Sequence, residues 1–293
     1  MISAVAFFLV YSSYAQEWNY SAQNAWPGFC TTGNRQSPIN IANVDSNEFA
    51  PPFTMRYGTA SKVGVHAEID LAIEIPDAND FTVKGVYGVE QDTFRLTYMD
   101  MHWHSDDSQG SEHRINGRQF AYELHFAHYN TKYSNFTEAL KHSDGVVAIG
   151  VLSSVGPELP GLTKVLDSMD AQNHGSLEEF DVTAMAPPDL ATNFYLYNGS
   201  GTTPACEEVM VWIVAKTRMT VSEEQLNRLR ALKYNGSSIG PNHRNAQPLN
   251  GRRVLSSQES KSFAMYSRVP QYIFIIIIVL ASALSELDSK YVL

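Results

Sequence analysis

In the stretch MDMHWHSDDSQGSEH, residues 99–113, three histidines and a group of carboxylates crowd together. Such donors are what a divalent cation needs. Zinc in a catalytic site takes three protein ligands and keeps a fourth position for solvent. On an extended strand, residues two apart share a face, so Asp100, His102 and His104 point the same way. A second stretch, YELHFAHYN, puts Glu123, His125 and Ala127 on one face and His128 on the other. If the two strands are neighbours, His102 and His125 converge. Glu123 is then placed to accept from a ligand's second ring nitrogen and fix its tautomer. Taken singly, each histidine reads more simply as a satisfied core residue or a solvent-facing one.

The elements that must position these residues read as strands. KVGVHAEIDLAIEI alternates Val63, Val65, Ala67, Ile69, Leu71 and Ile73 against mixed partners, the period of a half-buried strand. FRLTYMDMHWH and QFAYELHFAHYN alternate in the same way, whereas GVVAIGVLSSV and EEVMVWIVAKT are continuous apolar runs suited to inner strands. Helical signals are fewer. SNFTEALKHS and TVSEEQLNRLRAL qualify, the latter with Ser222 and Gln225 spaced as a capping box. The expectation is a mainly β (α+β) single domain over residues 16–255, with no internal repeat or linker.

Bulk properties agree with a globular chain: 293 residues, 44% hydrophobic and 18% charged. A formal net charge of −10 argues against nucleic acid, which needs a basic surface. The start, MISAVAFFLVYSSYAQEW, reads as a signal peptide over residues 1–15, with Ser13-Tyr14-Ala15 as a small-x-small cleavage pattern. It lacks the usual positive charge near Met1. Two cysteines, Cys30 and Cys206, suit one bridge in an oxidising compartment. Asn-x-Ser/Thr sites at Asn19, Asn135, Asn198 and Asn235 point to the same compartment. Near the other end, VPQYIFIIIIVLASAL (residues 269–284) follows a linker over 256–268 and precedes a polar tail over 285–293. It reads as a membrane tether: either a short single-pass anchor or a removable tail for a lipid anchor, with Ser256 or Ser257 as acceptor. The expected location is the secretory pathway, ending on the extracellular face of a membrane or in secretion.

The chain resembles the α-class carbonic anhydrases over nearly the whole domain. The resemblance runs through EWNY at Glu17, RQSPINI at Arg35, QGSEH at Gln109 and ELHFAHYNTKY at Glu123. It continues with GSGTTP at Gly199, VWIVAKT at Val211 and NAQPLNGR at Asn245. It implies a large, twisted, mostly antiparallel central sheet with short peripheral helices, a zinc ion (Zn2+) in a cavity, and reversible hydration of carbon dioxide to bicarbonate and a proton. Carried over by position, His102 and His125 match two zinc ligands, and Glu112 with Thr202 matches the pair that orients the zinc-bound solvent. Thr203 matches a substrate-site threonine, and Tyr20 a tyrosine of the cavity's water network. Val146, Ala148 and Trp212 match pocket walls, where Ala127 stands in place of the usual valine. Cys30 and Cys206 match the disulfide of extracellular members.

Three departures follow from the same comparison. Asp100 stands where the family has its first ligand histidine. Gly201 stands before Thr202 where the family has leucine. The proton-shuttle position falls on His66 or Val65 depending on the alignment, with alternation leaning to Val65. A carboxylate is a legitimate zinc ligand, but aspartate is roughly 1 Å shorter than histidine's far nitrogen. Its charge also makes the ion a weaker acid, so weaker metal binding and slower hydration are expected. A register shifted by two makes His102 and His104 the first two ligands instead, at the expense of the matches at Trp103 and Ser105. The alternative function is a zinc-poor binding module that keeps the fold. Against it, Glu112, Thr202, His102 and His125 are all retained.

Overall fold

A computed structural model describes residues 18–257. The expected signal peptide and the tether over 269–284 lie outside the described residues. No helix of the described residues is long and apolar enough to cross a membrane.

The ten strands that form the spine of the main sheet are β1 (Phe49–Ala50), β2 (Thr59–Ala67), β3 (Leu71–Glu74), β4 (Thr93–Trp103) and β5 (Tyr122–Asn130), then β6 (Val146–Val155), β7 (His174–Asp181), β8 (Phe194–Gly199), β9 (Met210–Ala215) and β10 (Leu255–Ser257). Their order across the sheet is β7-β2-β3-β4-β5-β6-β9-β8-β10-β1, with three short strands paired off this path. The β6–β9 and β10–β1 pairs are parallel and the other pairs along the spine antiparallel. The fold is therefore mainly β, a large mixed sheet with few short helices. Ser256 and Ser257, assigned to the linker from sequence, pair with Phe49 and Ala50, so the domain's last strand runs two residues past position 255.

Alternation places the core. Val63, Val65, Leu71, Ile73, Met99, Met101, Leu124, Phe126, Val147 and Ile149 share one face and build the larger apolar cluster. Helices α1 (Phe29–Thr32), α2 (Phe136–Ala139), α3 (Pro160–Asp167) and α4 (Glu223–Ala231) are short. Of these, α3 and α4 cover that face with Leu162, Val165, Leu226 and Leu229. The predicted capping box is present: Ser222 accepts from the Gln225 backbone and Gln225 answers on the Ser222 N–H. The run KVGVHAEIDLAIEI, read as one strand, is two. Residues 68–70 turn the chain, with the Glu68 N–H donating to Asp70 O, and β2 then pairs back on β3.

A slip in β4 decides which face the donors take. Before it, Phe94 pairs with Asn130 and Leu96 with His128. After it, Tyr98 pairs with Ala127, Asp100 with His125 and His102 with Glu123. Thr97 is the extra residue, a β-bulge. Core-facing positions accordingly change from Phe94 and Leu96 to Met99, Met101 and Trp103. Without the slip Asp100 would pair with Leu124, and His125 would leave the face of Asp100 and His102.

Candidate metal centre

The second face carries the cluster expected from sequence. Asp100 Oδ2 lies 2.9 Å from His102 Nε2 and 3.5 Å from His125 Nδ1, and the two ring nitrogens are 3.0 Å apart. Bonds of about 2.0–2.2 Å at a tetrahedral angle require donors about 3.3–3.6 Å apart. The observed triangle is that size, slightly contracted. The shorter aspartate therefore reaches the cluster directly from its strand.

Each ring's other nitrogen is engaged, so the nitrogen facing the cluster is the one that a metal would take in exchange for its proton. His102 Nδ1 donates to the Asn242 carbonyl at 2.8 Å, and His125 Nε2 donates to Glu123 Oε1 at 2.9 Å. Glu123 is anchored in turn. Its Oε2 accepts the His113 backbone N–H at 2.8 Å, and its Oε1 bonds the His113 ring at 2.6 Å. The His113 ring reaches Tyr197 Oη at 2.7 Å, and Tyr197 donates to Ser37. This network explains QGSEH beyond its glutamate: His113 is a support of the site that the sequence reading did not single out. Asn242 was missed as well, because a backbone carbonyl has no residue-type signature.

The electrostatics favour a cation. Burial opposes charge on His102, but Glu112 and Asp100 outweigh it and push its pKa up to about 9. His125 is likewise raised: burial is overcome by its bonds to Asp100 and Glu123. Burial would protonate Asp100, yet hydrogen bonds from both rings hold it ionised well below the usual carboxylate range. Glu112 Oε2 is buried without a hydrogen-bond partner, 3.7 Å from His102 Nε2, while its Oε1 accepts the Arg244 N–H at 2.6 Å. An orphaned carboxylate oxygen beside three converging donors fits a divalent ion with solvent attached. Glu112 and Thr202 do not hydrogen-bond in this structure; Thr202 is buried in the loop between β8 and β9, with Thr203 half-buried beside it.

The remaining expected residues fall as follows. His104 lies past the end of β4; its Nδ1 accepts the Asp106 N–H and its ring packs on His243, so it does not join the donors. The shifted ligand set, His102 with His104, is therefore not the one brought together. His66 pairs with Ala72, which pairs with Asp100, so His66 shares the donors' face, whereas Val65 lies in the opposite core. Alternation had leaned to Val65, but in the sheet that alternation turns Val65 into the core and His66 toward the donors. Burial and neighbouring His174 lower the pKa of His66. Trp212 stands 4.8 Å from the His125 ring, with Ala148 and Val146 in the same apolar cluster, and Ala127 pairs with Ala148. Tyr20 sits in an aromatic group with Trp18 and Trp26 against the Cys30–Cys206 disulfide, which is formed. A Cβ on Gly201 would meet nothing nearer than 3.5 Å, so the backbone does not demand glycine there. Asn19, Asn135, Asn198 and Asn235 are all exposed.

One further carboxylate interacts with this centre. Asp70 is buried in the β2–β3 turn, and burial, with the charge of Asp100, raises its pKa to about 7. It does not join the group of donors that could share one ion.

A family model described as eukaryotic-type carbonic anhydrase matches residues 15–258. The chain is 34% identical to carbonic anhydrase 1 of Mus musculus over 260 residues, covering 82% of this chain and 98% of that protein. It is 33% identical to carbonic anhydrase 3 of Homo sapiens over 261 residues, covering 83% and 99%.

Proposed function

From the premise that this chain belongs to the eukaryotic-type carbonic anhydrase family, we propose that it is a zinc-dependent enzyme hydrating carbon dioxide to bicarbonate and a proton, with an aspartate among its metal ligands. The observation that carries the reading is the convergence of Asp100 Oδ2, His102 Nε2 and His125 Nδ1 on one point. These three would hold the ion, which when bound supplies an acidified water and a Lewis acid. Asn242 and Glu123 fix the two ring tautomers so that both lone pairs stay aimed inward. Glu112, its second oxygen unsatisfied, and Thr202 orient the attacking solvent. Trp212, Val146 and Ala148 form the apolar wall against which an uncharged substrate rests, with Thr203 and Tyr20 at its polar side. His66, on the same face, passes the proton outward.

The added negative charge of Asp100 lowers the ion's acidity, so the rate falls below that of a three-histidine site. The leading apolar run, the disulfide, the four exposed sequons and the apolar run over 269–284 support a glycosylated protein of the secretory pathway, tethered to a membrane or released.

The test is metal content and hydration rate measured together on the full chain and on Asp100→His. The expected outcome is about one zinc per chain for both, with affinity and turnover each raised roughly tenfold in the variant. No zinc after supplementation, together with no hydration, would instead identify a binding module that retains the fold.

A further inference from the structure

Away from the metal centre, two arginines converge on one buried ring. Arg118, in the hairpin after β4, has its guanidinium carbon 5.3 Å from the Phe120 ring centre. Arg218, in the turn after β9, has its own 5.1 Å from the same centre. Their meeting is fixed by the sheet: Met219 pairs with Ser153 at the end of β6, and the Ala121 N–H donates to Ser153 O. Two like charges thus approach the same ring. Among the described residues neither guanidinium has a carboxylate partner, in a chain whose net charge is −10.

Arg118 also lines a cavity of about 590 Å³, together with Gln119, Phe120 and Ser154 and with the acidic Asp106 and Asp107. The acidic pair is already satisfied. Asp106 accepts from the Ser108 N–H and hydroxyl and from Gln109, and Asp107 pairs with Arg230. The basic pair is not. Both arginines are exposed, and a guanidinium presents a planar fork that fits a carboxylate or phosphate through two parallel hydrogen bonds.

We propose that Arg118 and Arg218, which both approach Phe120, form a binding site for a small oxyanion beside this cavity, whose wall Arg118 joins. The shared chemistry is that of carboxylate and phosphate, and two arms of one experiment separate them. The thermal midpoint of the full, zinc-supplemented chain is followed against inorganic phosphate and against succinate, with chloride holding ionic strength constant. A saturable rise is expected for at least one, about 3 °C at ten times the half-saturating concentration. Saturation by phosphate alone assigns a phosphate ligand, and saturation by succinate alone a carboxylate. Arg118→Gln and Arg218→Gln should each raise the half-saturating concentration about tenfold, and the double variant should lose the saturable component. The donors at the metal centre remain in every variant, so oxyanion binding there would survive in the double variant. A saturable response of unchanged size and half-saturating concentration in that variant overturns the proposal. So does a rise that is only linear in concentration and equal in both proteins, which is the general effect of excluded salts.

Discussion

Asp70 carries a charge problem that the donors themselves do not. Continuing the Leu71↔Met101 register by one step sets it opposite His102, beside Asp100 and His66. Burial and the Asp100 charge raise its folded pKa to about 7, against an ordinary value of 3.8. Between those two pH values the folded, metal-free chain binds a proton that the unfolded chain has released. Stability therefore falls as pH rises through that window and levels off above about pH 7. Asp70→Asn should flatten this dependence and stabilise the metal-free chain near pH 8, by at most roughly 4 kcal/mol. Urea unfolding at pH 5 and pH 8 on both proteins checks it, and equal slopes against pH would refute it. Bound metal should shrink the difference, because a cation nearby lowers the cost of ionising Asp70.

At the scale of elements, the site depends on one inserted backbone residue. Deleting Thr97 removes the bulge in β4 and shifts the pairing of Asp100 from His125 to Leu124. Metal retention should fall by at least about 100-fold, whereas Thr97→Ala, which keeps the count, should leave it near wild type. Metal analysis after dialysis distinguishes the two, and equal loss in both would show that the side chain mattered instead. The slip was present in the sequence, where Phe94 and Leu96 give way to Met99, Met101 and Trp103, yet the stretch reads as one alternation. Asp100 and His102 both follow the slip, so their own spacing stays regular and hides it. The convergence of His102 with His125 was legible from the period of two. The bond from His102 to the Asn242 carbonyl, 140 residues away in the chain, was not, since only the folded path brings it there. The turn at residues 68–70 was missed for a related reason: Val63, Val65, Leu71 and Ile73 keep the same parity through it, so the hydrophobic pattern does not register the reversal.

Over the whole molecule, the long-range order of the sheet was legible only through resemblance, because strands adjacent in space, such as β6 and β9, are far apart in sequence. The Cys30–Cys206 bridge ties such distant parts, with a sequence separation of 176. Closing so long a loop restricts the unfolded chain by roughly 5 kcal/mol in the entropic account. Cys30→Ser with Cys206→Ser should lower the denaturation midpoint strongly while leaving the donors in place, as urea titration and metal content would show. Charge has a consequence at this scale too. Two neutral imidazoles and one carboxylate around a divalent ion leave a single unit of positive charge where three imidazoles leave two. With an acidic molecule around it, such a centre grips anions loosely. Thiocyanate should inhibit wild type only at concentrations roughly tenfold above those needed for Asp100→His. Under the proposed zinc reading, the acidity that Asp100 would take from the ion would be matched by a weaker hold on halides and pseudohalides, and on bicarbonate as it leaves.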